Sequence, residues 1–257
     1  RFNAQRLPLT TRRRFGDITP AECAEARARA AAEPKKAWKE PVNNLTRILA
    51  STRTYHQAAL RLLEDGQPDL LALYYQGIDE VSHRFAHFMP PRMAGISEAD
   101  FARYQRAVDA FCVYQDELLG QLLDRLDPAT RLLVLSDHGF ENGSSRPTDG
   151  PADIEGKPGK WHRLYGIVLA AGPGISPGRF DTATLYDVAP TVLRRLGVPK
   201  SRELEGHVLE GALSEAFRKA HPVRSIDSYG RRPPSRPADS AFDQDVLEQL
   251  KSLGYIQ

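Results

Sequence analysis

Cysteine is scarce. The 257-residue chain holds two, Cys23 and Cys112, in separate helix-like stretches (AECAEARAR and DAFCVYQDE) with no CxxC pair. No disulfide framework is expected; a single bridge stays open, and small apolar side chains are the preferred reading. No run of about 18 apolar residues occurs, so no transmembrane helix is expected. The opening RFNAQRLPLTTRRRF lacks the apolar centre of a signal peptide, and there is no initiator Met, so a piece of a longer protein is expected. Charge of neither sign dominates: 35 basic against 33 acidic residues give a formal +2. Composition therefore offers no argument for a nucleic-acid or membrane partner. What is present is ordinary for a globular chain, 41% hydrophobic and 26% charged. The length suffices for one large domain, or a domain with appendages, around a sizeable core.

Residues 1–42 are basic and Ala-rich, and AECAEARARAAAE is expected to be helical because Ala, Glu and Arg are strong helix formers. The run at 12–14 reads as a solvated basic face. Residues 43–64 carry apolar side chains at helical spacing (Leu45, Ile48, Leu49, Tyr55, Ala59, Leu62, Leu63), with Asn43 or Asn44 as the expected cap. After the Asp-Gly and Pro breaks, LLALYY reads as a buried strand. A long helix is expected over 97–126, opened by Ser97 and Asp100. RLLVLSDHG and LYGIVLAAGPG read as two further strands, separated by a polar, Gly- and Pro-rich stretch at 141–160. DVAPTVLRRLGVP reads as a helix with Asp187 as its cap and Gly197 and Pro199 closing it. The Pro/Arg/Ser-rich segment 222–240 and the short helix DQDVLEQLKSLGYIQ make up an arm at 222–257. Residues 43–221 thus read as α/β: a mostly parallel sheet flanked by helices on both faces.

In such sheets the chemistry gathers beyond the C-terminal ends of strands. LLALYYQGID runs into Asp79, with His83 four residues on; in a helix the pair shares one face. LLVLS runs into Asp137 and His138. His162 stands just before the third strand. Asp and His together suit zinc or a similar divalent ion better than calcium. Five such ligands are too many for one tetrahedral catalytic ion and slightly too few for two, and paired ions are the usual clamp for a phosphoryl group.

Four segments in this order, GIDEVSHRF, LLVLSDHGF, KWHRLYGIVLAAGPGI and LYDVAPTVLRRLGVP, closely resemble the type I phosphodiesterase/nucleotide pyrophosphatase branch of the alkaline phosphatase superfamily. The likeness spans roughly residues 43–210, and LKSLGYI is a familiar ending there. The resemblance implies an alkaline-phosphatase-like fold, incomplete at its N-terminus, and two zinc ions bridging the phosphate of a small phosphoester. It implies Asp79, His83 and His162 on one ion, Asp137 and His138 as part of the shell of the other, and Gly139 in a tight turn after that pair. It also implies an extracytoplasmic, periplasmic setting. The family's further Asp and its Thr or Ser nucleophile precede these motifs; Thr10 and Thr11 follow no strand and are not assigned that role. The implied mechanism is attack on phosphorus by the activated hydroxyl, a covalent phospho-enzyme, then hydrolysis. This chain alone is then expected to have little activity.

Plainer roles stand beside these. His87 reads as a neighbour of the site, His56 and His207 as surface or structural, and Tyr74, Tyr75 and Phe85 as core. Phe140 is either a substrate-pocket wall or a packing residue. Lys160 and Arg163 flank His162 within reach of phosphate oxygens, although a solvated position is preferred. A sulfatase is disfavoured, because neither ECAEA nor FCVYQ matches a CxPxR motif. A phosphomutase of the same superfamily, or a non-catalytic metal-binding remnant, is the alternative.

Overall fold

The computed structural model describes residues 15–16, 18–148, 158–179 and 183–231. The Arg run at 12–14, Thr10, Thr11, most of the 222–257 arm and part of the 141–160 stretch lie outside these residues. The chain divides into two units. The first comprises 1–126, 140–163 and 242–257, and the second 127–139 and 164–241.

The first unit is built by helices. α1 (Pro20–Ala32) opens with a reciprocal capping box: Glu22 N–H donates to Thr19 Oγ1 (3.2 Å) and Thr19 N–H donates to Glu22 Oε2 (2.8 Å). α2 (Pro41–Asp65) starts earlier than the expected Asn43 or Asn44 cap, because Pro41 has its φ preset for a first helical position. α3 (Gly77–Phe85) follows, then α4 (Glu98–Tyr104), capped by Ser97 as its sequence predicts, and α5 (Ala107–Leu123). The single helix expected over 97–126 is thus two, separated at Gln105 and Arg106. Their apolar faces bury Leu45, Ile48, Leu49, Val81, Phe85, Val108, Phe111 and Leu118, joined by Trp161; each such side chain contributes about 1.5–3 kcal/mol when fully buried. Cys23 (buried) and Cys112 (exposed) are both free thiols on helices.

His56 of α2 is fully buried in a polar network. Gln121 Oε1 can only accept, so His56 Nε2–H donates to it (3.1 Å), and Nδ1 accepts from the Tyr75 hydroxyl (2.8 Å). Burial pushes the His56 imidazole below its usual pKa and the Tyr75 phenol up to about 12.

No large parallel sheet is seen among the described residues. Residues 70–75 belong to no strand among the described residues, and Leu70 (56% exposed) and Tyr74 (68%) face solvent rather than core. An apolar run sets a strand's length and greasiness; a ladder also needs a partner, which the run cannot specify. In the second unit, β1 (Leu132–Leu135) and β4 (Val168–Ala171) pair antiparallel, Leu133 opposite Ala170. Between them in sequence lie the two-residue β2 (Gly139–Phe140) and β3 (His162–Arg163), which pair with each other. A short parallel pair joins β5 (Lys200–Ser201) to β6 (Ser225–Ile226). The architecture is mixed α/β with small sheets.

The second unit also holds α6 (Val188–Arg195) and α7 (Glu215–Ala220). Asp187 stands at the N-cap position of α6, as expected, but makes no side-chain cap bond there; its carboxylate instead completes a capping box on the preceding turn, whose N-cap is Thr184. Its carboxylate accepts from Thr184 N–H (2.7 Å), the Thr184 hydroxyl (2.9 Å) and His207 N–H (2.7 Å). These donors, the His207 amide foremost, hold its pKa below the usual range. Arg194 braces two helix ends by donating to His221 O (3.0 Å) and Arg218 O (3.4 Å) and pairing with Glu210.

The α1 cap carries a pH prediction. Glu22 also accepts from Arg103 of α4 (2.6 Å). The Thr19 backbone donor, then Arg103, hold its carboxyl at about 2 instead of 4.5. A depressed carboxyl stabilises the fold above its unfolded pKa and loses that contribution as pH falls through its folded value. With solvent screening allowed for, Glu22→Gln is expected to cost about 1 kcal/mol at neutral pH. The deficit should vanish between pH 5 and pH 2, read as converging urea midpoints of the two proteins.

Candidate metal centre

α3 positions the first candidate ligands. Gly77, its first residue, lies so close to α2 and α5 that an added Cβ would stand 2.4 Å from Phe111 Cζ and 2.5 Å from Thr52 Oγ1. Locked there, the helix carries Asp79 in its first turn and His83 one turn later, the i,i+4 spacing that puts both on one face. His83 is fully buried, and the Asp79 and His162 side chains are mostly so, at 15% and 21% exposed. His162 arrives from β3, at the far end of the chain's excursion from β2.

These residues meet. His83 Nε2 lies 2.9 Å from His162 Nε2 and 3.4 Å from Asp79 Oδ1, and His162 Nε2 lies 3.9 Å from the same oxygen. The circle through a triangle with these sides has a radius of about 2.0 Å, the length of a zinc–nitrogen or zinc–carboxylate bond. A divalent ion at its centre would be within bonding reach of all three donors, so the arrangement fits a metal. Two imidazoles and one carboxylate are also the donor chemistry of a zinc site with an open position.

The surroundings are apolar on one side. Phe140 presents its ring to His83 (centroids 5.0 Å apart, planes at 86°) and to His162 (5.8 Å), and leans on buried Trp161 (6.1 Å). Glu80, beside Asp79, is pushed up to about 7 by burial, with Arg47 and Arg84 opposing the shift. His87 packs on Phe88 (4.0 Å) and is pushed down to about 4, by burial first and Arg146 second; it is a packed neighbour. Arg163 turns to Glu141 (3.7 Å). Lys160 lies exposed.

Asp137 and His138 follow β1 in the second unit. Gly166 makes this strand end possible, since a Cβ there would fall 2.1 Å from Ser136 O. Asp137 Oδ1 accepts the His138 amide (3.1 Å) and is 3.9 Å from His138 Nε2; the Asp137 side chain is 56% exposed. His138 Nδ1–H donates to Gly139 O (3.0 Å), which in the neutral ring leaves the lone pair on Nε2. Gly139 itself lies in β2, not in the tight turn expected for it.

The family model for type I phosphodiesterase / nucleotide pyrophosphatase matches residues 8–181. The chain belongs to this family. As a type I phosphodiesterase/nucleotide pyrophosphatase family member it falls within the alkaline phosphatase superfamily. It is 30% identical over 139 residues to GPI ethanolamine phosphate transferase 3 of Eremothecium gossypii, covering 51% of this chain and 12% of that protein. It is 29% identical over 124 residues to human Arylsulfatase K, covering 46% of this chain and 22% of that protein. With Choline-sulfatase of Rhizobium meliloti it is 31% identical over 116 residues, 40% of this chain and 20% of that protein. The chain thus spans a minor part of each of these relatives. Sulfatases are among them even though no CxPxR motif occurs in this family member's sequence. No solved structure matches.

Sequence reasoning missed Gly77, Arg146 and the double contact of Phe140. The Gly opening GIDEVSH was the one available signal, a helix-starting residue with no side chain just before the Asp79 and His83 candidate pair.

Proposed function

We propose that the whole protein is a metal-dependent enzyme that cleaves phosphodiester or pyrophosphate bonds of a small substrate, and that this chain supplies ligands for two divalent ions, zinc by donor chemistry. The observation that carries this reading is the convergence of Asp79, His83 and His162 on a point about 2.0 Å from each. Asp137 and His138 are assigned to the second ion, supported by the His138 tautomer. Bound there, such ions polarise a phosphoryl oxygen and lower the pKa of a hydroxyl or water. The chain's own residues fix the donors: α3 sets the spacing of Asp79 and His83, and Phe140, backed by Trp161, packs against both imidazoles. The attacking hydroxyl and a further carboxylate are assigned to a part of the protein outside this chain. The family supports phosphoryl or sulfuryl transfer in general. The hydrolytic, phosphodiester-directed reading is the finer step.

Metal analysis of the purified chain tests it. One firmly held zinc ion per chain is expected, lost in His83→Ala, with a second, weakly held ion that is lost in Asp137→Ala. Unchanged metal content in both variants would remove the site assignment. Bis(p-nitrophenyl) phosphate turnover by the chain alone should stay at background; strong ion-dependent turnover would overturn the external nucleophile.

A further inference from the structure

An imidazole ligates only along its in-plane lone pair, yet the torsion that sets a histidine's ring plane has broad, shallow preferences. Something outside the side chain must hold the plane. At Asp79, His83 and His162 one ring packs against both imidazoles. Phe140 is perpendicular to His83 (86°) and tilted to His162 (59°), while the two imidazoles are themselves 4.9 Å apart at 68°. Phe140 is itself held. It packs partly buried against the core, its ring meets Trp161, which is 1% exposed, and the next residue's amide donates to Trp161 O (Glu141 N–H, 2.7 Å).

We propose that Phe140 is a positioning residue for the metal ligands: its ring fixes the planes of His83 and His162 so that both Nε2 lone pairs are directed at the point they share with Asp79 Oδ1. It thereby sets divalent-ion affinity and coordination geometry without touching the ion. This inference rests on the metal reading above. It separates Phe140 from a substrate-pocket wall, whose loss would alter substrate affinity and leave metal affinity unchanged.

The test uses the full chain, with zinc affinity measured by competition with a chromophoric chelator and geometry by the visible absorption of the cobalt(II) form. Phe140→Ala should weaken zinc binding about 10- to 100-fold, the range seen when outer-shell support is removed. Phe140→Leu, which keeps apolar bulk but not the flat ring, should still lose several-fold and show a weakened cobalt band. Phe88→Leu is the control. Phe88 stacks on Phe85, His87 and Tyr104 in the same core, and its loss should leave zinc affinity within about twofold. Wild-type affinity and spectrum in Phe140→Leu would overturn the proposal, as would an equal loss in Phe88→Leu. Loss of native far-UV dichroism in both Phe140 variants would make Phe140 a plain core residue and overturn it too. Failure of the wild-type chain to bind zinc or cobalt would instead strike the parent metal reading.

Discussion

Arg146→Met is expected to lower the stability of the first unit by about 3 kcal/mol, with a thermal midpoint some 6–12 °C below wild type. Arg146 is 6% exposed, and its guanidinium donates to the carbonyls of Ala86 (3.2 Å), Met89 and Pro91, the run of backbone that leaves α3. Methionine keeps most of the apolar stem but removes every donor, leaving three acceptors to find water or go unmet. Hydrogen bonds to a charged group contribute about 1.5–3 kcal/mol each, and not all of that is lost at once, which sets the figure. Burial already lowers the pKa of this arginine, so its desolvation cost partly offsets the bonds it makes. Arg146→Lys should recover only a fraction, since one ammonium lacks the planar fork that reaches three separate oxygens. Differential scanning calorimetry of the three proteins checks the order Arg, Lys, Met; equal midpoints would contradict it.

Gly77→Ala is expected to cost about 1–3 kcal/mol and to weaken zinc binding by at least about tenfold. Alanine favours helices over glycine by roughly 1 kcal/mol, so propensity alone predicts a gain. Contact reverses the sign: the new methyl would lie 2.4 Å from Phe111 Cζ and 2.9 Å from Cε1 of the same ring, which is fully buried and cannot swing aside. α3 must shift instead, carrying Asp79 and His83 with it. A chelator competition and a urea titration on the same sample should therefore both move. A stabilised protein with intact zinc affinity would show that the interface yields without moving the helix.

How much of this was legible beforehand depended on which physical quantity each element turns on. Asp79 and His83 could be read because four residues on a helix is a local spacing. That His162 closes the triangle needed the fold, since 79 residues separate it from His83. The helices followed their periodicity, and Ser97 capped as side-chain chemistry dictates, whereas Asp187 gave its carboxylate to the turn at Thr184 instead of to its own helix. The break at Gln105–Arg106 carries no Pro or Gly to announce it. Strand partners were the weakest reading: VLAA and LLVL were recognised as strands, but nothing in either dictates that they run antiparallel, and residues 70–75 have the composition of a strand without a ladder among the described residues. Arg146 was invisible, because a lone arginine in a polar loop looks solvated until the carbonyls around it are placed.

The Asp79–His83 pair on α3 has a kinetic corollary. Two donors on successive turns of one helix form a bidentate chelate whose bite is set by backbone geometry. The backbone spacing of the two residues limits how far it can widen. His162 comes from a two-residue strand and has no such constraint. Ion escape should therefore begin with the swing of that one imidazole, and the dwell time of the metal should track how firmly the short β2–β3 ladder holds.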